Sequence, residues 1–188
     1  MSKPKMTGMK EEGGTLTFRL KGVSPSFANA LRRTVLGQVP TYAIDKVTVY
    51  ENTSAFFDDY IANRIGHVPI ATPDKVDDEV LFTLNAEGPV MVTSGMLESS
   101  NPKIVCANKN IPIVELGAKQ VVRLEGTARK GIGRTHAKFQ PALASYSYDE
   151  EGEYEFMIES FGQMKAKDVA KRALNVLISE CKEMQKQV

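Results

Sequence analysis

Residues 27–70 read FANALRRTVLGQVPTYAIDKVTVYENTSAFFDDYIANRIGHVPI. Just before this stretch, Ser24 has a side chain that can cap a helix, and Pro25 suits the first helical turn. Apolar side chains then recur at helical spacing, at Phe27, Leu31 and Val35. Because Gly37 and Pro40 follow, the sequence predicts a short amphipathic helix that ends near Gly37.

The rest of this stretch predicts a strand and a second helix. Tyr42–Tyr50 is rich in β-branched and aromatic residues, as expected of a strand. Ser54 is a candidate cap for a helix over Ala55–Ile65, which Gly66 would end. That helix would carry one apolar stripe, formed by Phe57, Ile61 and Ile65.

On either side of this stretch the pattern is mainly that of strands. Thr15–Leu20, Ala142–Tyr148 and Tyr154–Phe161 are strand-like. Between Val68 and Pro141, short apolar runs are separated by Pro, Gly, Asn and Asp, which indicates a small antiparallel β module. The runs are Val80–Leu84, Val90–Val92, Ile111–Leu116 and Val121–Leu124.

The chain closes with a strong helical pattern over Ala166–Met184. Its apolar stripe is too wide for one shallow contact with a core. Either the domain clamps this helix, or another helix packs on it. The stripe consists of Val169, Ala170, Ala173, Leu174, Val176, Leu177, Cys181 and Met184.

Composition indicates an ordinary globular protein. The 188 residues include 24 Lys+Arg and 23 Asp+Glu, for a net charge of +1, and 42% are apolar. These values are typical of one compact domain or two small ones and exclude a disordered chain. Met1–Gly14 is polar and no apolar run approaches the roughly 18 residues of a membrane helix, so we expect a cytoplasmic protein without membrane contact. Two cysteines, Cys106 and Cys181, fit a reducing compartment.

Residues that could carry chemistry are sparse. The two histidines, His67 and His136, lie outside metal-ligand spacing of any cysteine, so no metal and no cofactor are predicted. Gly131–Arg134 is similar to a phosphate loop, but no helix pattern follows it. Asp58–Asp59 and Asp77–Glu79 are candidate paired carboxylates that solvation explains better. With no nucleophile elbow or triad order, no catalytic residue is predicted.

Charge is segregated along the chain. Lys119–Lys138 holds six Lys/Arg against Glu125 alone, whereas Asp149–Glu159 holds six acidic residues and no base. The basic stretch could bind phosphates, but it lacks interleaved aromatic residues and a recognition helix, which favours protein contact or solvation. Arg32 and Arg33 point about 100° apart on the first helix and are either surface arginines or bidentate partners for carboxylates.

Two blocks of this sequence resemble the RNA polymerase α-like subunits. The first is the quoted stretch, with Asn-Ala-Leu-Arg-Arg at Asn29–Arg33, then Pro40 and the segment Gly66–Pro69. The second, HAKFQP at 136–141, is similar to a segment of the archaeal D subunits and of the third subunit of eukaryotic polymerase II. With their spacing, the two blocks cover nearly the whole chain.

The resemblance implies an α/β (α+β) fold. A discontinuous α-like dimerisation domain would comprise residues 1–40 and 142–188, and an inserted, mainly antiparallel β domain would comprise residues 41–141. Some D subunits also carry an iron–sulfur domain, for which two cysteines are too few.

The resemblance also implies a non-catalytic scaffold of DNA-directed RNA polymerase. The chain would form a heterodimer with the L subunit and dock the B, N and P subunits, without direct nucleic-acid contact. Arg33 would serve the binding of B. The rival interpretation is a stand-alone nucleic-acid-binding protein that uses the basic stretch, and an enzyme ranks third. The implied partner-binding residues are Phe27, Leu31, Arg32, Arg33, Val35, His136, Lys138, Phe139, Leu174, Leu177 and Cys181.

Overall fold

The computed structural model describes residues 3–74, 79–150 and 152–188. Contacts within the chain divide it into two compact units. The terminal unit combines Met1–Pro40 with Ile132–Val188, and the inserted unit is Thr41–Gly131.

The described residues form ten strands and three α-helices. In chain order these are β1 Lys5–Glu12, β2 Thr15–Lys21, α1 Pro25–Gly37, β3 Thr41–Asn52, α2 Asp58–Gly66, β4 Val80–Glu87, β5 Val90–Thr93, β6 Glu98–Ser99, β7 Pro112–Leu116, β8 Val121–Gly131, β9 Ala142–Tyr148, β10 Tyr154–Ser160 and α3 Ala166–Gln185.

The terminal unit is an antiparallel sheet with two helices packed on one face. Its strand order is β1-β2-β10-β9. Along β2, Leu16, Phe18 and Leu20 are buried because successive side chains of a strand point to opposite faces. Phe18 lies opposite Phe156 of β10, and their rings stack with centroids 5.1 Å apart. Helices α1 and α3 complete this core with Leu31, Val35, Val169 and Ala173.

The inserted unit has its own core. A four-stranded antiparallel sheet in the order β3-β8-β4-β6 is accompanied by the antiparallel pair β5-β7 and helix α2. Every second side chain of β4 is buried, from Val80 to Ala86, as expected of a strand with one face on a core. Ile61 and Ile65 of α2 belong to the same core. Within the described residues, no helix combines the length and the apolar character that crossing a membrane requires.

The predicted fold class, α/β (α+β) with mainly antiparallel sheets, is confirmed. The predicted capping of α1 is confirmed as well, since the Phe27 N–H donates to Ser24 Oγ over 3.2 Å and Pro25 opens the helix. Strand β9 has the predicted bounds, and α3 ends one residue beyond the predicted Met184. These elements carry strong local signals, which explains the agreement.

Helix α2 differs from the prediction at its start. It begins at Asp58 rather than Ala55. Ser54 does not cap it, because the Ser54 hydroxyl donates to Asn52 Oδ1 over 2.7 Å and accepts the Phe56 N–H over 3.2 Å. Such local side-chain bonds hold a turn and compete with the helix. Phe57 is therefore 87% exposed, and its predicted place in the apolar stripe with Ile61 and Ile65 is wrong.

Two further differences concern β1 and the second junction between the units. Strand β1 was not predicted, because none of its residues is buried and its sequence lacks alternation. The return to the terminal unit was placed at Ala142, whereas residues 132–141 already group with that unit. The physical reason is hydrogen bonding, since Arg134 N–H donates to Gly37 O over 2.8 Å and Phe161 N–H donates to Pro141 O over 3.0 Å.

Candidate functional site

Helix α1 places its two arginines outside the core of the terminal unit. Ala28, Leu31, Thr34 and Val35 form the buried face of the helix. Arg33 is exposed, and Arg32 is half-buried and donates to Asn29 Oδ1 over 2.9 Å. Neither arginine forms an ion pair with a described residue, so both guanidinium groups keep most of their hydrogen-bonding capacity for a partner.

The segment after β8 brings a third arginine to the same place. Arg134 N–H donates to the carbonyl of Gly37 at the end of α1. Gly133 approaches the helix so closely that an added Cβ would overlap the carbonyl oxygen of Leu36. Further on, Phe139 is buried and anchors a single turn of 3₁₀ helix, Ala137–Phe139. This backbone contact holds the backbone of Arg134 beside α1, and its side chain is exposed there.

These elements line a groove of about 800 Å³ in the terminal unit. Arg32, Arg33 and Arg134 line it together with Asn29 and Gln38. Helix α3 contributes Leu177 and the one acidic lining residue, Glu180. Three guanidinium groups against one carboxylate create a positive field, which favours binding of an acidic surface.

The second half of helix α3 carries apolar side chains away from the core. Val169, Ala170 and Ala173 are buried, but Leu174 and Leu177 are only partly covered. Beyond them, Ile178 is 51% exposed, Met184 is 69% exposed and Cys181 is exposed. Leu174, Leu177, Ile178 and Cys181 follow helical spacing, so they form one apolar face that the rest of the described chain covers only in part. We call these residues the α3 face.

Some predicted partner-binding residues belong to the core instead. Leu31, Val35 and Phe139 are each at most 1% exposed, so their assignment to a partner interface is corrected to a structural role. They are buried because α1 and the 132–141 segment pack against their own unit. Phe27 is 38% exposed on the first turn of α1.

The structure brings Arg32, Arg33 and Leu177 together in the groove and places Leu174 and Cys181 on the α3 face. The second predicted block contributes less to either surface. His136 is exposed and its Nδ1 accepts the Lys138 N–H over 3.1 Å, while the half-buried Lys138 lies over the ring of Phe139. These contacts are local to the 3₁₀ turn.

Sequence reasoning missed Arg134 and Ile178. Arg134 was counted only as one member of the basic stretch, and its place beside α1 depends on a contact that no local pattern shows. Ile178 could have been found, because it lies four residues after Leu174 and therefore on the same helical face.

The basic stretch is divided between the two units. Its first part belongs to the inserted unit and its last part to the terminal unit, with the division at Gly131. Arg123 forms an ion pair with Glu51 at 3.0 Å, and Arg129 with Asp45 at 2.5 Å. The paired carboxylates offset the positive charge that these arginines would need to bind a phosphate backbone. This weakens the rival interpretation as a nucleic-acid-binding protein.

The structure describes only part of the remaining candidates for chemistry. Asp58 lies in the first turn of α2 and accepts from Asn52 Nδ2, while Asp77 and Asp78 lie outside the described residues. The Gly131–Arg134 segment leads into the 3₁₀ turn and not into an α-helix. Across residues 3–74, 79–150 and 152–188, no three His, Cys, Asp or Glu side chains converge as metal ligands would. Burial raises the pKa of the Cys106 thiol to about 11.

Comparison with known proteins identifies similar sequences along most of the chain. The family model of the RNA polymerase Rpb3/Rpb11 dimerisation domain matches residues 17–181. DNA-directed RNA polymerase subunit Rpo3 of Methanocaldococcus jannaschii is 43% identical over 166 residues, covering 88% of this chain and 85% of that protein.

Two further relatives bear the same name. The Rpo3 protein of Pyrococcus furiosus is 45% identical over 149 residues, which are 74% of this chain and 57% of the relative. The Rpo3 protein of Natronomonas pharaonis is 44% identical over 129 residues, which are 68% of this chain and 52% of the relative. The chain thus spans little more than half the length of these two proteins.

Proposed function

Because this chain belongs to the family of RNA polymerase Rpb3/Rpb11 dimerisation domains, we propose that it is the Rpo3 subunit, also called D, of an archaeal DNA-directed RNA polymerase. In this role it is an assembly scaffold without an active site of its own. It pairs with the L subunit, and the pair then docks B, the large catalytic subunit, and the small N and P subunits.

The observation that carries this proposal is the α3 face. In a chain that matches a dimerisation family, a helix with an uncovered apolar face is the natural contact for a second subunit, because burying apolar area drives association. The exposed Ile178 and Cys181 lie at the centre of this face, and the partly covered Leu174 and Leu177 lie where it meets the core. We assign the α3 face to the L subunit.

The groove supports the second contact, with the B subunit. Arg33 and Arg134 have no ion-pair partner among the described residues and face the same space as Arg32. A partner that supplies carboxylates there would form bidentate pairs, which are among the strong charge-assisted hydrogen bonds. We assign the groove to an acidic surface of B.

The pairing with L is tested by adding a charge to the α3 face. Leu177→Asp would place a carboxylate into an apolar interface at a cost of several kcal/mol, and co-purification with L should be lost. Since Leu177 also covers part of its own core, Ile178→Asp is the cleaner variant, because Ile178 is half exposed in the isolated chain.

Ser179→Asp, which adds the same carboxylate at an exposed position of the same helix, serves as the matched control. Circular dichroism should show that the Ile178→Asp chain remains folded while size-exclusion chromatography shows no complex with L. Normal co-elution of Ile178→Asp with L would remove the assignment of the α3 face.

A further inference from the structure

A turn of the inserted unit presents three aromatic rings to solvent. Phe57, immediately before α2, is 87% exposed, and Phe56 and Tyr60 are each more than two-fifths exposed. The rings of Phe56 and Tyr60 stack with centroids 4.7 Å apart and planes 17° apart. Exposed aromatic residues grouped in this way are typical of the anchors that protein interfaces bury.

The turn is held in place by its own polar side chains. Asn52 Nδ2 donates to Phe56 O over 2.9 Å and to Asp58 Oδ1 over 2.7 Å. Ser54 N–H donates to Asn52 Oδ1 over 3.0 Å, and Phe56 N–H donates to Ser54 Oγ over 3.2 Å. Because this network already orders the backbone, binding would cost little additional conformational entropy. The backbone that carries the exposed rings is thus ordered before binding.

The charged residues of the turn itself are all acidic. Residues 50–60 contain three acidic residues and no basic residue. Glu51 is paired with Arg123, and Asp58 accepts the bond from Asn52. Asp59 has no ion-pair partner among the described residues. A free carboxylate beside exposed aromatic faces is complementary to a cation, which both the ring quadrupoles and the carboxylate attract.

We propose that this aromatic turn, residues 52–60, docks a basic segment of a partner protein. An arginine or lysine of that segment lies over the exposed rings and shares its charge with Asp59, while neighbouring apolar atoms cover Phe57. An uncharged apolar partner would leave Asp59 facing a covered surface without a counter-charge, which is unfavourable. This proposal does not depend on the assignment of the α3 face or of the groove.

The test uses the full chain in the complex that it forms in its native cells. Phe57 is replaced by the photoreactive aromatic residue p-benzoylphenylalanine, the purified complex is irradiated, and the cross-linked peptide is sequenced by mass spectrometry. Met91, which is 47% exposed in the same unit, receives the same replacement as the positional control. We expect the Phe57 position to cross-link to another protein within a few residues of an arginine or lysine, and Met91 not to reach that segment.

Charge dependence completes the test. Asp59→Lys in the Phe57-labelled chain should lower the cross-link yield roughly tenfold through repulsion, and Asp59→Asn should lower it less. Glu115→Lys makes the same change of charge at another exposed position of the inserted unit and should leave the yield unchanged. The proposal would be overturned by a cross-link to a segment without arginine or lysine, by a cross-link to a second copy of this chain, or by no cross-link to any protein. It would also be overturned if Asp59→Lys left both the cross-link yield and the circular dichroism spectrum unchanged.

Discussion

Arg33 and Arg134 come from distant parts of the chain and reach one groove without carboxylate partners among the described residues. Exposed arginines usually contribute little to the free energy of folding, because water screens their charge. At an interface the balance changes, because removing one member of a desolvated charge pair leaves the other member unpaired. The roles of these two side chains therefore become measurable only with a partner present.

If the proposed function holds, Arg33→Ala leaves the pairing with L intact and weakens capture of B by about 2–5 kcal/mol, the usual cost of truncating a buried interfacial charge pair. Arg134→Ala should act in the same direction, and the double variant should lose less than the sum because both side chains serve one groove. The measurement is a titration of the D–L pair with B. Arg19→Ala removes an exposed arginine from the outer face of the sheet and is the control. Unchanged affinity of the Arg33→Ala pair for B would make Arg33 an ordinary surface residue.

The Cys106 thiol should react only very slowly with thiol reagents in the folded chain. It is 6% exposed, and burial raises the pKa of its thiol from 9.0 to about 11. At pH 8 only about one molecule in a thousand would carry the reactive thiolate there, whereas Cys181 is exposed on α3. A disulfide reagent should therefore modify one thiol per chain quickly and the second only in urea. In Cys181→Ser the fast reaction should vanish, and a fast reaction that survives this change would contradict the prediction.

The same pKa shift predicts a dependence of stability on pH. The unfolded chain releases the Cys106 proton near pH 9.0, whereas the folded chain holds it to about pH 11. The contribution of the protonated thiol to folding is therefore complete below pH 9 and is lost as the pH rises through this window. Comparison of urea unfolding at pH 8 and pH 10 between the wild type and Cys106→Ala should show a smaller pH-dependent loss in the variant.

Among the elements, the segment after β8 depends on a close backbone approach. Gly133→Ala would force a methyl group against the carbonyl oxygen of Leu36 and separate the segment from α1. Overpacking of this kind costs roughly 1–3 kcal/mol, which urea unfolding would detect. Gly37→Ala is the matched control, because its added Cβ would have ordinary contacts of 3.8 Å with Arg134. Equal stability of the two variants would show that the approach is not constrained.

The success of sequence reasoning differed between elements for identifiable reasons. Helix α1 was predicted well because Ser24, Pro25 and the apolar spacing all indicate the same start. The start of α2 was misplaced because Asn52 and Ser54 form a turn, and a cap and a turn use the same residue types. Strand β1 was not predicted because it is an exposed edge strand. Its pairing with β2, rather than its composition, determines its structure.

The candidate site shows the same division between local and long-range information. The arginines of α1 and the apolar positions of α3 follow from helical periodicity, which a sequence displays. Leu31 and Val35 could not be assigned to core or partner by periodicity, since both kinds of contact select the same apolar face. The position of Arg134 results from a hydrogen bond to Gly37, nearly a hundred residues earlier in the chain.

At the scale of the whole molecule, the important feature is where the inserted unit interrupts the sequence of the terminal unit. The chain leaves the terminal unit after Pro40 and returns at Ile132. Thr41 and Gly131, the first and last residues of the inserted unit, are paired on neighbouring antiparallel strands, so their Cα atoms are separated by about 5 Å. Because the two ends of the inserted unit lie side by side, the terminal unit would not have to bridge a gap if the inserted unit were removed.

The inserted unit should therefore fold when it is made alone as residues 41–131. Its buried core, which includes Tyr42, Ile61, Phe82 and Ile104, draws only on residues of that unit. We expect a strand-rich circular dichroism spectrum and a single cooperative thermal transition, as for other small single domains. Phe82→Ala is the control, because removing a fully buried ring costs about 3–5 kcal/mol and should lower the midpoint or abolish the transition. A wild-type fragment that is unfolded would mean that the two units stabilise each other, and that the core of the inserted unit is insufficient by itself.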